Sequence, residues 1–182
     1  SKRYHGTRPD GGRPVIEYLR IDRQHPLYKQ EIALRQSILL DPIKYTMEML
    51  EDEFPGFEDR FEHFVAVVDH PKGKRVIGCA LLLPHYPDGE PNTGKLMQMA
   101  VDPQRQREGI GRRLVIELER RALGELGLTK LYCHARVDAA PFYASLGWVR
   151  TGEPFVEAGI EHYKMVFDTA SADENGSLEA DA

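Results

Sequence analysis

Residues 96–114, LMQMAVDPQRQREGIGRRL, bring Gly109, Gly111 and four arginines (Arg105, Arg107, Arg112, Arg113) to the point where an apolar run gives way to a helix. The first turn of a helix has amides with no intrahelical acceptor and carries the positive end of the dipole, so it can hold an anion. Glycines without Cβ let a phosphate approach the backbone, and arginine forks suit a ligand with several phosphates. The chemistry expected here is binding of a nucleotide-like anion. Taken alone, the pattern also fits a plain strand–turn–helix junction.

Two phosphate motifs are excluded: GIGRRL lacks the third glycine of a dinucleotide fingerprint, and no GxxxxGK[ST] occurs. With 182 residues, 41% of them hydrophobic and 29% charged, the chain is long enough for one self-sufficient core. No apolar run reaches the length of a membrane span and no stretch reads as a secretory signal, so no membrane partner is expected. Cys79 and Cys133 lie in apolar runs without a CxxC, as buried reduced thiols in a cytoplasmic protein would. The net charge of −5 is matched by five acidic side chains in residues 168–182, so the rest of the chain is close to neutral and offers no field for nucleic acid. That tail and the Gly/Pro-rich arm at 1–14 have little to bury and read as loosely held extensions of a domain over 15–167.

The elements that must position the junction follow from periodicity. VIEYLRI (15–21) alternates as a strand, and Leu27, Ile32, Leu34, Ile38 and Leu39 recur at helical spacing up to Asp41–Pro42. A shorter helix is expected over 43–53, with FPGFEDRF (54–61) as a turn-rich link. HFVAVVD and RVIGCALLLPHY read as a hairpin of two strands, and KLMQMAV as a fourth. The helix after the glycines puts Ile110, Leu114, Val115, Leu118, Ala122 and Leu126 on one stripe, and Gly127 closes it. LTKLYCHA gives a fifth strand, parallel to the fourth; DAAPFYASLG is a short helix, and WVRTG and EHYKMVF are two last strands. The fold class is α/β of the α+β kind, one domain with a mixed central sheet of about seven strands flanked by helices.

With these elements in order, the chain resembles the GNAT superfamily of N-acetyltransferases. Its Q/RxxGxG/A motif stands here as QREGIG (Gln106–Gly111), and its short helix with a tyrosine before a Gly–aromatic pair stands as FYASLGW, with Tyr143, Gly147 and Trp148. EAGIEHYKM (157–165) is similar to a pattern in the ElaA-like bacterial branch. The resemblance implies a sheet splayed between strands four and five, with a β-bulge near Met99 and acetyl-CoA as co-substrate in the gap. It places pyrophosphate on the amides of Gln106, Arg107, Glu108, Gly109, Ile110, Gly111 and Arg112, and pantetheine along Met99, Ala100 and Val101. The Val101 amide would stabilise the thioester oxygen. No metal is implied, and homodimers are common in the family. At Arg136 the family often has Asn or Gln, which departs from the usual cofactor contact, and Trp148 stands where Phe is usual.

Amide formation from a thioester needs a neutral amine, a stabilised oxygen and a protonated leaving thiolate. By the resemblance Tyr143 protonates the sulfur; a buried tyrosine is otherwise a packing residue with a satisfied hydroxyl. For the base the candidates are His134, Glu161 and His162, beside a water chain with no dedicated base; Gln98 is placed for the role but cannot act as one. Glu51, Asp52, Glu53, Glu153, Glu157 and Glu161 could form an acidic rim for a cationic amine, or be ordinary solvated charges. Arg35 could pair with one of them or touch the acceptor. The function expected is acetyl transfer to a primary amine of a small molecule or a peptide N-terminus or lysine; a non-catalytic acyl-CoA-binding module is the alternative.

Overall fold

The computed structural model describes residues 15–85 and 89–170; the arm at 1–14 and nearly all of the acidic tail lie outside the described residues. Seven strands form one mixed sheet in the order β1-β2-β3-β4-β5-β7-β6. The strands are β1 (Glu17–Ile21), β2 (Glu62–His70), β3 (Gly73–Leu83), β4 (Thr93–Val101), β5 (Lys130–Arg136), β6 (Val149–Glu157) and β7 (Ile160–Asp168). The helices are α1 (Tyr28–Arg35), α2 (Met47–Glu53), α3 (Phe57–Arg60), α4 (Ile110–Glu119) and α5 (Ala140–Ser145). The expected architecture, a mixed seven-stranded sheet with flanking helices, is the one found.

The described residues divide into two compact units, one of residues up to 82 together with 98–118 and one of residues 83–97 together with those from 119 on. In the first, β1 and β3 each pair antiparallel with β2. Val65, Val67, Val76, Cys79 and Ala100 from the strands join Ile21 and Leu27 in a core against which Tyr28, Leu34, Ile38 and Leu39 pack. Leu27, Leu34, Ile38 and Leu39 of the expected helical stripe lie in this set, with Tyr28 in addition to them. α1 runs on through a wider turn at Gln36–Leu40 and ends at Asp41–Ile43, where Pro42 has no N–H to continue it. α2 starts only at Met47, not at residue 43, because the Thr46 side chain caps it by accepting from the Met49 amide at 3.1 Å. FPGFEDRF is more than a link: Gly56, at φ 77°, turns the chain into the one-turn helix α3.

In the second unit β5 pairs antiparallel with β7 and β7 with β6. β6 extends well beyond the expected WVRTG because it is an edge strand, where Pro154 and the irregularity between Thr151 and Phe155 are tolerated. α5 packs Tyr143 among Trp148 and Phe142, with ring centroids 5.4 and 5.0 Å away, and Trp148 is buried. On β5, Leu131, Cys133 and Ala135 are buried while Tyr132 and His134 are half-buried, the alternation expected of a strand with one covered face.

Candidate active site

Within β4 the backbone breaks its own rule. Gln98 has φ 53°, a left-handed conformation that costs a non-glycine residue about 1–3 kcal/mol and persists only where neighbours impose it. Three groups do so. The Arg35 Nε donates to Gln98 Oε1 at 3.3 Å, the Cys79 thiol lies 3.5 Å from the Gln98 carbonyl and donates to it, and the Asp102 amide returns to the ladder on the Ile77 carbonyl at 2.8 Å. The irregularity sits one residue before Met99, where a bulge was expected. The parallel ladder of β4 with β5 covers Thr93–Lys95 against Lys130–Tyr132, the short pairing that a sheet opening between these strands requires.

The turn from β4 to α4 belongs to the first unit. Asp102 starts it by accepting from the Gln104 amide on its side chain and from the Arg105 amide on its carbonyl, at 3.0 and 2.9 Å. Arg107 and Gly109 both take positive φ, 72° and 77°, which folds the loop back on the helix start. The Arg113 amide bonds the Gly109 carbonyl at 3.1 Å, so the amides of Ile110, Gly111 and Arg112 precede the helical ladder. A Cβ on Gly109 would meet nothing within 4 Å, so the space beside its backbone is open to a ligand. A phosphate-bearing group fits this turn. Ile110 and Leu114 anchor α4 on β3 at Gly78, where a Cβ would lie 3.0 Å from Ile110 Cγ2 and 3.2 Å from Leu114 Cδ1.

The four arginines do not act as one cluster. Arg113 pairs with Glu117 at 2.8 Å and lies over the Tyr18 ring, and Arg105 is 3.9 Å from Glu108. Arg107 and Arg112 remain beside the turn as exposed cations.

Arg35 joins no acidic rim. Its guanidinium, fully buried, makes two parallel bonds of 2.8 Å to the carboxylate of Glu58 on α3, which also accepts from Tyr28 Oη at 2.7 Å. Burial alone would raise the Glu58 carboxyl, but the bonds and charge of Arg35 outweigh it and hold it low. Beside this pair His63, also buried, lies between two acceptors, with Nδ1 2.9 Å from Glu31 Oε1 and Nε2 3.0 Å from the Glu58 carbonyl. Only a doubly protonated imidazole donates to both. Burial pushes His63 down, yet these partners, led by Glu31, raise it overall. Sequence reading missed Glu58, Glu31 and His63, because acids and a histidine scattered over a helix, a one-turn helix and a strand share no periodicity. The interruption of an apolar helix by Arg35 was the one signal.

In the second unit the Tyr143 hydroxyl is paired with the Cys133 thiol, and burial followed by that thiol raises the phenol well above its ordinary range. Tyr143 therefore stays a neutral proton donor at any physiological pH. Burial pushes Cys133 up to about 12. The neighbouring Trp148 donates its indole N–H to Glu119 at 2.8 Å. Gly147, at φ 90°, lets the Trp148 amide turn back onto the Tyr143 carbonyl at 3.1 Å.

On the half-buried face of β5, β6 and β7, His134 Nδ1 is 3.2 Å from Glu157 Oε2, and its ring packs edge-on against Phe155 at 4.8 Å. His162 stacks on the same Phe155 at 5.9 Å, with Nδ1 2.7 Å from the Ile160 carbonyl. A carbonyl only accepts, so Nδ1 carries the proton and a neutral His162 presents its lone pair at Nε2. Lys95 and Lys164 lie over the Tyr132 ring with Nζ 5.6 and 4.9 Å from its centroid. Burial pulls Lys95 below its usual range. Arg136 faces Asp138 at 3.4 Å.

Of the expected acidic rim, Glu157 is taken by His134, Glu53 accepts from the Tyr45 hydroxyl and Glu51 accepts from the Gly56 amide at 3.0 Å. Three of the six are thus engaged locally. Among the described residues no group of three or more His, Cys, Asp or Glu could hold a metal ion, and no helix is long and apolar enough to cross a membrane.

The family model for an acetyltransferase (GNAT) domain matches residues 46–169. The chain belongs to the GNAT acetyltransferase family. It is 30% identical to the uncharacterised protein YyaT of Bacillus subtilis over 136 residues, 75% of this chain and 85% of that one. Among solved structures, Escherichia coli ElaA superposes with a TM-score of 0.65 at 15% identity, covering 84% of this chain and 99% of that one. An aminoglycoside 6'-N-acetyltransferase solved with coenzyme A gives 0.64 at 18%, covering 84% and 97%. At these identities the structural likeness shows the fold.

Proposed function

We propose that this chain transfers an acetyl group from acetyl-CoA to a primary amine by direct attack within a ternary complex. The observation that carries the reading is the Gln106–Arg112 turn, with Arg107 and Gly109 at positive φ and open space beside Gly109 at the head of α4. Acetyl-CoA, when bound, supplies an acetyl thioester. The amides of Gln106, Arg107, Glu108, Gly109, Ile110, Gly111 and Arg112 hold its pyrophosphate, with the Arg107 and Arg112 side chains adding charge. Met99, Ala100 and Val101 bind pantetheine as an added strand, and the Val101 amide donates to the thioester oxygen as it gains charge.

Tyr143 holds the proton that the leaving sulfur takes. Burial and the Cys133 thiol keep the phenol neutral, so the proton is present; because the same surroundings hold it tightly, its transfer requires the leaving thiolate to lie directly against the hydroxyl. With Nδ1 held on the Ile160 carbonyl, the neutral His162 ring takes a proton from the acceptor ammonium at Nε2, and the neutral amine so formed attacks the thioester carbonyl. Arg136 contributes a cationic contact where the family has an amide side chain. The acceptor is a small-molecule amine or a peptide amine.

Release of CoA from acetyl-CoA over a panel of amines tests the reading. It predicts turnover on at least one amine class, with stabilisation of the protein by CoA alone. Stabilisation by CoA without turnover on any amine would support a non-catalytic acyl-CoA-binding module instead.

A further inference from the structure

The guanidinium of Arg35 has five N–H donors, and the two terminal nitrogens are spent on Glu58. The remaining nitrogen, Nε, is aimed at the side chain of the one β4 residue in a left-handed conformation, Gln98. Glu58 is in turn fixed by the Tyr28 hydroxyl, and the His63–Glu31 pair packs beside it, with the Tyr28 and His63 rings edge-on at 5.4 Å. The opposite side of the Gln98 peptide is held by the buried Cys79 thiol, against which the Ala100 backbone also lies. A long-range ion pair, carried on two helices remote in sequence from β4, therefore ends on a single strand residue.

We infer that Arg35 is a positioning residue for the donor strand: clamped by Glu58, it holds Gln98 in its left-handed turn and so sets the backbone of Met99–Val101. This rests on the proposed role of those three residues toward acetyl-CoA. The geometry gives a reason for burying two charges where apolar side chains would pack as well. An ion pair replaced by apolar residues of similar volume is often neutral for stability, whereas removing one partner leaves an uncompensated charge. Rigid, planar and bidentate, the Arg–carboxylate fork fixes the direction of the third donor, which a lysine would not do.

The test compares Arg35→Met/Glu58→Met with Gln98→Gly in the full chain. The double variant keeps the charge balance, and Gln98→Gly leaves a residue that adopts positive φ without strain while removing the grip. Two readouts are taken: acetyl-CoA affinity by calorimetry, and hydrogen exchange at the Met99, Ala100 and Val101 amides in the ligand-free protein. Both variants should melt within a few degrees of wild type, bind acetyl-CoA at least fivefold more weakly and exchange those amides at least tenfold faster. On any accepted amine, KM for acetyl-CoA rises while KM for the amine does not.

Wild-type affinity and exchange in a folded Gln98→Gly protein would overturn the inference. If the double variant does not fold, Gln98→Gly decides alone, since it removes no charge. Should wild type bind no acetyl-CoA, the donor reading fails, and the exchange readout still decides whether Arg35 and Gln98 set this backbone.

Discussion

Replacing Gly109 by alanine separates the cost of a strained backbone from the loss of a ligand site. At φ 77° an L-residue is disfavoured by about 1–2 kcal/mol, and because the new Cβ meets nothing within 4 Å no steric penalty adds to it. For a domain of this size that amounts to a fall of roughly 2–8 °C in melting temperature. The effect on acetyl-CoA should be larger, because the Cβ occupies the space through which a phosphate reaches the amides, and a hydrogen bond to a charged group is worth about 1.5–3 kcal/mol. One such bond lost toward the upper end of that range, about 2.7 kcal/mol, corresponds to about a hundredfold in Kd. By linkage, acetyl-CoA at a hundred times the wild-type Kd stabilises wild type by about 2.7 kcal/mol, and the same concentration stabilises a hundredfold weaker variant by only about 0.4 kcal/mol. Differential scanning fluorimetry with and without acetyl-CoA reads both quantities on one sample. An alanine variant that melts lower but keeps the full ligand-induced shift would refute the cradle.

Tyr143→Phe should lower kcat by about a hundredfold or more, the usual reach of a positioned acid, while leaving CoA affinity near wild type; unchanged kcat would remove Tyr143 from the reaction. Gly78→Val should destabilise by about 1–3 kcal/mol in chemical denaturation, since its side chain would drive into Ile110 and Leu114 on α4; a neutral result would mean that α4 does not rest on β3 there. His63 is raised in the folded state, so its contribution is complete below the unfolded pKa of about 6.5 and is lost as pH rises through the folded value. Glu58 is depressed, so its contribution is complete above about 4.3 and is lost as pH falls below that. Melting temperature against pH should therefore peak between these limits, and His63→Gln should flatten the decline on the alkaline side, with a smaller change on the acid side where the His63 charge helps hold Glu58 low; an identical profile in the variant would show that His63 is not the group responsible.

The elements that announced themselves were those with a repeating pattern. The α4 stripe from Ile110 through Leu118, the apolar runs of β2 and β3, and the alternation on β5 all follow from burial on one face, and each was legible. The turn at the head of α4 was legible as a turn, because Gly109 takes positive φ there. What stayed hidden depends on contacts across the chain. Glu58 lies in a segment read as a turn, and nothing local marks it as the partner of Arg35 23 residues away. The His134–Glu157 pair joins β5 to β6 through register that single-strand patterns do not encode. Likewise Arg105 and Arg113 read as part of a phosphate cluster, whereas their neighbours Glu108 and Glu117, one turn along, compete for them.

The most direct test of the donor site is a titration of the isotope-labelled protein with CoA, following the backbone amides by NMR. The account predicts saturable shifts concentrated at Gln106–Arg112 and at Met99–Val101, with the amides that donate to phosphate or pantetheine moving furthest. Saturable binding that leaves both segments unmoved, or no binding at millimolar CoA, would contradict it.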